Sequence, residues 1–126
     1  MAQILIEARE WGAEAESLIG GHESARDLDS IRAQVQAGAA VLFHVEQSGG
    51  EMVAAVVLRV DDLEGVIVSA AGVPGFDLTR DVLPAMERRF EGVESIRIHT
   101  GRPGLCRKLT RQGYEAAEIV MRKRVK

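Results

Sequence analysis

The apolar pattern changes its period within residues 65–100, which read GVIVSAAGVPGFDLTRDVLPAMERRFEGVESIRIHT. Residues 65–71 are a short, mostly apolar run that predicts a strand. From Asp77 to Phe90 the apolar side chains recur about every 3.6 residues, which predicts a helix with Asp77 as its N-cap. Residues 94–99 predict a second short strand. A strand, a helix and a strand in this order predict a crossover that brings the two strands together in parallel.

Pro84 interrupts the predicted helix, because a proline in a helix interior removes a backbone donor. The helix therefore either kinks at Pro84 or has its regular part start near Asp81. A ligand site is expected at the carboxyl ends of the two strands that the crossover joins. Those ends hold residues 69–76 and residues 99–102.

The residues before this stretch predict a strand, two helices and two further strands. Gln3–Ala8 is short and apolar, and it predicts the first strand. Trp11–Ile19 and Asp27–Ala37 each carry an apolar stripe at helical spacing. Ala39–Glu46 alternates, and Met52–Val60 is nearly all apolar, which predicts burial on both faces. Together with residues 65–71, the last two segments predict an antiparallel meander.

The C-terminal residues predict one more helix and one more strand. Pro103 suits the first turn of a helix that runs to Gln112, and Gly113 suits the left-handed position after it. Glu118–Val125 alternates and predicts a last strand. The complete order is β-α-α-β-β-β-α-β-α-β, an α/β (α+β) fold with a mixed sheet.

The composition is that of a single domain covering residues 1–126. Apolar residues make up 46% and charged residues 28%, a balance that argues against disorder. Cys106 is the only cysteine, and the three histidines show no ligand spacing with it, so we predict neither a disulfide nor a metal site. No apolar run approaches the roughly 20 residues that span a membrane, and the N-terminus shows no secretory signal. We therefore expect a cytoplasmic protein with no membrane segment.

Charge is distributed unevenly along the chain. Residues 1–96 hold 7 Lys/Arg and 17 Asp/Glu, whereas residues 97–126 hold 9 Lys/Arg and 2 Asp/Glu. This polarity either marks an anion-binding end or lets the basic segment neutralise the acidic one. A nucleic-acid partner is not expected, because the chain has a pI of about 5.6 and no aromatic stacking platform accompanies the basic residues.

The element order resembles the GNAT fold of acyl-CoA-dependent N-acyltransferases. Residues 101–114, GRPGLCRKLTRQGY, are similar to the last helix of that family, which runs into a glycine and an aromatic residue before the final strand. The Arg-Pro-Gly turn also resembles that of small GNAT-like proteins of tailed phages. The resemblance implies acetyl-CoA as the cofactor and an amine as the acceptor substrate.

The sequence departs from the family pattern at two places. Active members carry a loop of the form Gln/Arg-x-x-Gly-x-Gly/Ala whose backbone N–H groups bind the CoA pyrophosphate. Residues 71–78 read AGVPGFDL, in which Pro74 lacks an N–H and Asp77 adds a negative charge. Leu109 stands where the family places a tyrosine as general acid, and Arg102 stands where it places an asparagine.

Two functions of different classes follow from this comparison. The first is a GNAT-like binding or assembly module that transfers acetyl groups weakly or not at all. Such a module would associate with a protein partner or with a second copy of itself, through an apolar sheet edge such as Met52–Val60.

The alternative is an active N-acetyltransferase with an unknown amine substrate. The backbone of Val68–Ala71 would polarise the thioester carbonyl, and His99 would accept the amine proton. The resemblance places the residues that contact the cofactor on the third meander strand and just after it: Val68, Ser69, Ala70, Gly72, Val73, Gly75, Phe76 and Arg80.

Overall fold

The computed structural model describes residues 3–100 and 102–126. The prediction that the N-terminus carries no secretory signal involves Met1 and Ala2. The prediction that residues 99–102 lie at a strand end involves Gly101. These three residues lie outside the described residues.

In the described part of the chain, five strands form one mixed sheet in the order β1-β2-β3-β4-β5. The strands are β1 (Ile4–Arg9), β2 (Val41–Gln47), β3 (Met52–Asp61), β4 (Glu64–Gly72) and β5 (Ser95–Ile98). The first four strands pair antiparallel with their neighbours. Strand β5 runs parallel to β4. The predicted meander and the predicted parallel crossover are both confirmed.

The helices of the described residues follow the predicted order. They are α1 (Ala13–Gly20), α2 (Ala25–Gln36), α3 (Leu78–Asp81), α4 (Leu83–Glu87) and α5 (Pro103–Arg111). Ser24 caps α2, where its side-chain oxygen accepts a hydrogen bond of 3.1 Å from the Asp27 amide. The predicted helix of residues 77–90 is broken at Val82 into α3 and α4. Pro84 consequently lies in the first turn of α4, where no backbone donor is needed.

The strand predicted over Glu118–Val125 is wrong. Residues 115–126 form no regular element, and Ile119 and Met121 are each 87% exposed. Alternating side chains favour an extended chain, but a strand also needs hydrogen bonds to a neighbour. Within the described residues β5 pairs only with β4, so the segment has not joined the sheet.

The sheet separates two layers of helices. Helices α1 and α2 cover one face, where Ile19 and Ile31 pack with Leu42 and Val57 of the sheet. Helices α3, α4 and α5 cover the other face. The buried apolar side chains on this side are Leu83, Met86 and Leu109 of the helices and Val82 at the junction of α3 and α4. We call these the α1/α2 face and the α5 face.

Strand β3 is the centre of the core. Residues 53–58 are all buried, which confirms the prediction that Met52–Val60 is covered on both sides. The central position of β3 in the sheet contradicts the prediction that this segment pairs with another copy through a sheet edge. Strand β3 lies between β2 and β4, and the edge strands of the sheet are β1 and β5.

None of the helices in the described ranges combines the length and apolar character that crossing a membrane requires.

Candidate functional site

A cleft opens on the α5 face where β4 and β5 stop pairing. The last pair in the parallel ladder is Ile67 with Ile98, but β4 continues to Gly72 while β5 ends. The space beyond that pair is a cavity of about 660 Å³. Its walls are mainly apolar side chains of β4, β5, α3, α4 and α5, together with the segment that leads into α3. They include Ile67, Ala70, Phe76, Leu78, Met86, Ile98, Leu105 and Leu109. The cleft therefore lies at the strand ends where the sequence predicts a ligand site.

The mouth of the cleft is positively charged. Helix α5 and its N-cap residue contribute four cationic residues to the lining: Arg102 at the N-cap, and Arg107, Lys108 and Arg111 in the helix. The single acid among the described lining residues is Asp77. Lys108 Nζ lies 3.8 Å from Asp77 Oδ1, whereas the three arginines form no ion pair with any described residue. Three guanidinium groups are consequently free to bind an anion.

Asp77 is tied to the start of α3. Its Oδ1 accepts a hydrogen bond of 2.8 Å from Thr79 Oγ1 and one of 3.2 Å from the Arg80 amide. These two hydrogen bonds hold the pKa of Asp77 below its ordinary value. The carboxylate thus occupies the position at a helix N-terminus that an external anion would take. The sequence prediction of Asp77 as an N-cap is confirmed.

Strand β4 contains a bulge beside the cleft. Val57 pairs with Ser69 and Leu58 pairs with Ile67, so Val68 is an extra residue in β4. A bulge leaves its extra residue out of the ladder and re-aims the side chains next to it.

Ser69 points toward the α1/α2 face, as its pairing with Val57 requires. Its side chain is 5% exposed, and Oγ donates a hydrogen bond of 3.1 Å to Glu23 Oε1 in the loop between α1 and α2. Sequence reasoning missed Glu23, because the two residues are 46 positions apart and no local motif links them. Val68 packs against the same face.

The predicted cofactor residues fall into three groups. Ala70 and Phe76 line the cleft. Gly72 and Val73 line a shallower cavity of about 630 Å³ against α1. Val68 and Ser69 face α1 and α2, as described above.

Gly75 and Arg80 lie outside the cleft lining. Gly75 has a φ of +84°, which suits glycine. Arg80 is exposed and donates to the Asp81 carboxylate at 2.9 and 3.0 Å. The structure therefore brings together two of the eight predicted residues, Ala70 and Phe76, at the cleft.

His99 follows β5 directly and is exposed. Arg97 Nε donates a hydrogen bond of 3.2 Å to His99 Nε2. Arg97 pairs in register with Val66, and it also binds the carboxylates of Asp61 and Glu64. His99 is not among the described residues that line the cleft.

The helix position at which the resemblance places a general acid is a packing position here. Leu109 is 5% exposed and belongs to the core of the α5 face. The Tyr114 hydroxyl donates a hydrogen bond of 2.7 Å to Glu87 Oε2, and burial together with this bond raises the pKa of Tyr114. Tyr114 also packs against the core of the α5 face. Cys106 is exposed.

Solved structures that this chain resembles in architecture include acetyltransferases. AAC(6′)-Iy in complex with the bisubstrate analogue CoA-S-monomethyl-acetylneamine superposes with a TM-score of 0.64 and 14% identity, over 98% of this chain and 99% of that one. The ribosomal-protein-alanine N-acetyltransferase from Brucella melitensis superposes with a TM-score of 0.67 and 16% sequence identity, over 98% of this chain and 99% of that one. A GNAT family acetyltransferase from Streptococcus pneumoniae superposes with a TM-score of 0.60 and 13% sequence identity, over 97% of this chain and 99% of that one.

The chain has the GNAT fold. At these identities the likeness establishes the fold alone. No protein-family model and no curated protein matches the sequence. The resemblance in element order is therefore confirmed in three dimensions, whereas the likeness to phage proteins stays a prediction. The described residues contain no cluster of metal-ligating side chains.

Proposed function

We propose that this chain is a GNAT-fold binding module that holds a CoA-type ligand in the cleft between β4 and β5 and transfers acetyl groups slowly or not at all. The observation that carries the proposal is the composition of the cleft. Its walls are apolar, its mouth is cationic, and its described lining contains no His, Cys, Glu or Tyr. The first two properties favour binding of a ligand with a flexible apolar arm and phosphate groups, and the third disfavours proton transfer.

The size of the cleft supports the binding part of the proposal. A volume of about 660 Å³ lies within the range of small-molecule and cofactor pockets, roughly 300–1,000 Å³. Ala70, Phe76 and Leu105 would contact the pantetheine arm, and the arginines of α5 would lie near the phosphates. A bound acetyl-CoA would supply a thioester that an amine can attack.

The ionisable groups of the cleft support the slow-transfer part. An attacking amine is protonated near neutral pH and needs a base whose pKa lies near the working pH. Asp77 is the only acid among the described lining residues, and the hydrogen bonds that lower its pKa make it a weak base. The remaining ionisable groups of the lining are cations, which cannot accept a proton.

A second candidate is an active N-acetyltransferase, favoured by the bulge in β4. The bulge leaves Val68 out of the ladder beside the cleft, where backbone polar groups of residues 68–71 could polarise a carbonyl. His99 would take the amine proton after its hydrogen bond from Arg97 breaks. The amine nitrogen would gain the acetyl group as the C–S bond breaks, and the thiol of CoA would leave.

Calorimetric titration of the full chain with CoA and acetyl-CoA, followed by a free-thiol assay with a panel of amines, tests the proposal. We expect saturable binding. At a ligand concentration of a hundred times the dissociation constant, binding should raise the free energy of unfolding by about 2.7 kcal/mol. We expect turnover far below the roughly 1 s⁻¹ at the lower end of ordinary enzymes. Absence of binding at millimolar CoA would overturn the binding claim.

Turnover at an enzyme-like rate that His99→Ala abolishes would favour the second candidate. An unchanged rate in His99→Ala would remove the histidine as the base. Ser48→Ala, in the hairpin turn between β2 and β3, is a suitable control because it lies outside the described cleft lining.

A further inference from the structure

We infer that the phosphates of the bound ligand are held by the cationic side chains of α5 and its N-cap residue, at Arg102, Arg107, Lys108 and Arg111, and not by the backbone of the loop between β4 and α3. This inference rests on the proposed function, because it names the residues that would recognise the phosphates of a CoA-type ligand. Three observations carry it.

The first observation is that the loop has few donors to offer. The Val73 amide donates to the Val53 carbonyl at 2.9 Å, and the Phe76 amide donates to the Val73 carbonyl at 3.1 Å. Pro74 has no N–H. Three of the five residues 73–77 are therefore unable to donate a backbone hydrogen bond to a phosphate.

The second observation is that the start of α3 already holds an anion. The Asp77 carboxylate accepts hydrogen bonds from the Arg80 amide and the Thr79 hydroxyl. A phosphate in the same place would displace these bonds and meet a like charge at short range, which is unfavourable. Helix α3 also has only four residues, so its dipole adds little.

The third observation is that α5 presents unpaired cations to the same cavity. Arg107 and Arg111 are one helical turn apart, and both are exposed lining residues. No described acid forms an ion pair with Arg102, Arg107 or Arg111. Guanidinium groups bind phosphate oxygens through paired, charge-assisted hydrogen bonds.

The same observation separates the two sequence-based explanations of the charge polarity. Arg97, at the start of the basic segment, is paired with Asp61 and Glu64, as neutralisation requires. If the arginines at the cleft mouth served the same purpose, they would also be paired with acids. Among the cations of the cleft mouth, the pair between Lys108 and Asp77 is the one that the described residues show. The geometry therefore favours an anion-binding mouth.

Calorimetric titration of the full chain with CoA, 3′-dephospho-CoA and pantetheine tests the inference. The test variant is Arg107→Gln/Arg111→Gln, which removes two charges and keeps good helix formers on α5. The matched control is Arg122→Gln/Arg124→Gln, which removes the same charge from the exposed segment 115–126, outside the described cleft lining. Far-UV circular dichroism and the thermal midpoint show whether each variant is folded.

We expect the α5 variant to bind CoA about tenfold more weakly or worse, since it loses two sets of charge-assisted hydrogen bonds to the phosphates. We expect its affinity for pantetheine to be unchanged. The control variant should match the wild type within about twofold for all three ligands, since exposed and screened charges outside the site contribute little. The wild-type affinity should also fall from CoA to pantetheine and fall with added salt.

Several outcomes would overturn the inference. If the α5 variant binds CoA as the wild type does, the phosphates are held elsewhere, while the proposed function stands. If it loses CoA and pantetheine equally, the arginines act on the shape of the cleft and not on phosphate. If the wild type binds no CoA but binds a single-stranded oligonucleotide through Arg107 and Arg111, both the inference and the proposed function fail.

Discussion

Lys108 Nζ lies 3.8 Å from Asp77 Oδ1 and links α5 to the start of α3 across the mouth of the cleft. This contact places the single acid of the described lining beside the cations that we assign to phosphate binding. Because both side chains are partly exposed, the pair contributes little to the stability of the fold. The pair matters for binding, because an incoming anion would meet the negative charge of Asp77 at this point.

Replacing Asp77 with asparagine should tighten CoA binding. Asparagine remains a good N-cap for α3, so the change removes the charge and keeps the local structure. We expect an affinity gain of about three- to tenfold, measured by calorimetry, from the loss of like-charge repulsion. Asp81→Asn is the control, because Asp81 binds Arg80 and does not line the cleft. An unchanged or weaker affinity in Asp77→Asn would contradict the assignment.

The ion-pair network at the start of the parallel ladder should make the protein sensitive to acid. Arg97 binds Glu64 and donates to Asp61 at 2.8 Å, and Arg59 also binds Asp61. The hydrogen bonds from Arg59 and Arg97 lower the pKa of Asp61, and those from Arg97 and Ser95 lower the pKa of Glu64. A carboxyl group whose pKa is lower in the folded state stabilises that state above its unfolded pKa. It loses that contribution as the pH falls through the folded value.

Thermal midpoints measured from pH 7 down to pH 2 test this expectation. The thermal midpoint of the wild type should stay constant above about pH 5 and fall steadily below it, since the carboxyl groups of the unfolded chain titrate near pH 4. Arg97→Met should have a lower midpoint at pH 7 and a shallower decline. Parallel curves for the two proteins would show that Arg97 is not responsible for the pH dependence.

Replacing Gly65 with alanine should destabilise the fold. A Cβ at Gly65 would lie 2.7 Å from Cδ1 and 2.8 Å from Cγ of the Phe90 ring, closer than real contacts allow. The ring would have to move out of the core of the α5 face, at a cost of about 1–3 kcal/mol.

Urea unfolding of Gly65→Ala checks this cost. The control is Gly104→Ala in α5, where a Cβ would be 3.8 Å from Arg107 Nη2, an ordinary contact. Gly104→Ala should leave stability unchanged or raise it slightly, since alanine favours helix. Equal effects of the two substitutions would contradict the packing of Phe90 on Gly65.

The bond between Ser69 and Glu23 should contribute measurably to stability. Ser69 is buried, so Glu23→Ala leaves its hydroxyl without this acceptor, at a cost of about 1–3 kcal/mol. A double-mutant cycle of Glu23→Ala and Ser69→Ala should show positive coupling, and Glu14→Ala on the exposed side of α1 should have no effect. Strictly additive losses in the cycle would mean that the bond contributes nothing.

The sequence predicts the elements well wherever a local period determines them. The apolar spacing of residues 77–90, the glycines and prolines at element ends, and the apolar run of β3 correspond to features of the structure. The parallel pairing of β4 and β5 follows from the crossover rule. Asp77 could be recognised as a cap because capping depends on residues three positions apart.

The remaining errors concern contacts between distant residues. Alternation at residues 118–125 indicates an extended chain, but it carries no information on whether a neighbouring strand is available. The position of Ser69 depends on the bulge at Val68 and on its hydrogen bond to Glu23, which is 46 positions away in the sequence. No local pattern predicts a one-residue bulge, and such a bulge changes which face a side chain occupies.

The central claim is that a CoA-type ligand enters the cleft beside α5. A titration of the ¹⁵N-labelled full chain with CoA, followed through backbone amide shifts, tests it most directly. We predict that the largest shift changes map to residues 102–111, to Ala70 and to Phe76, with residues 115–126 and α1 unaffected. An absence of shift changes at millimolar CoA, or changes confined to residues 115–126, would contradict the account.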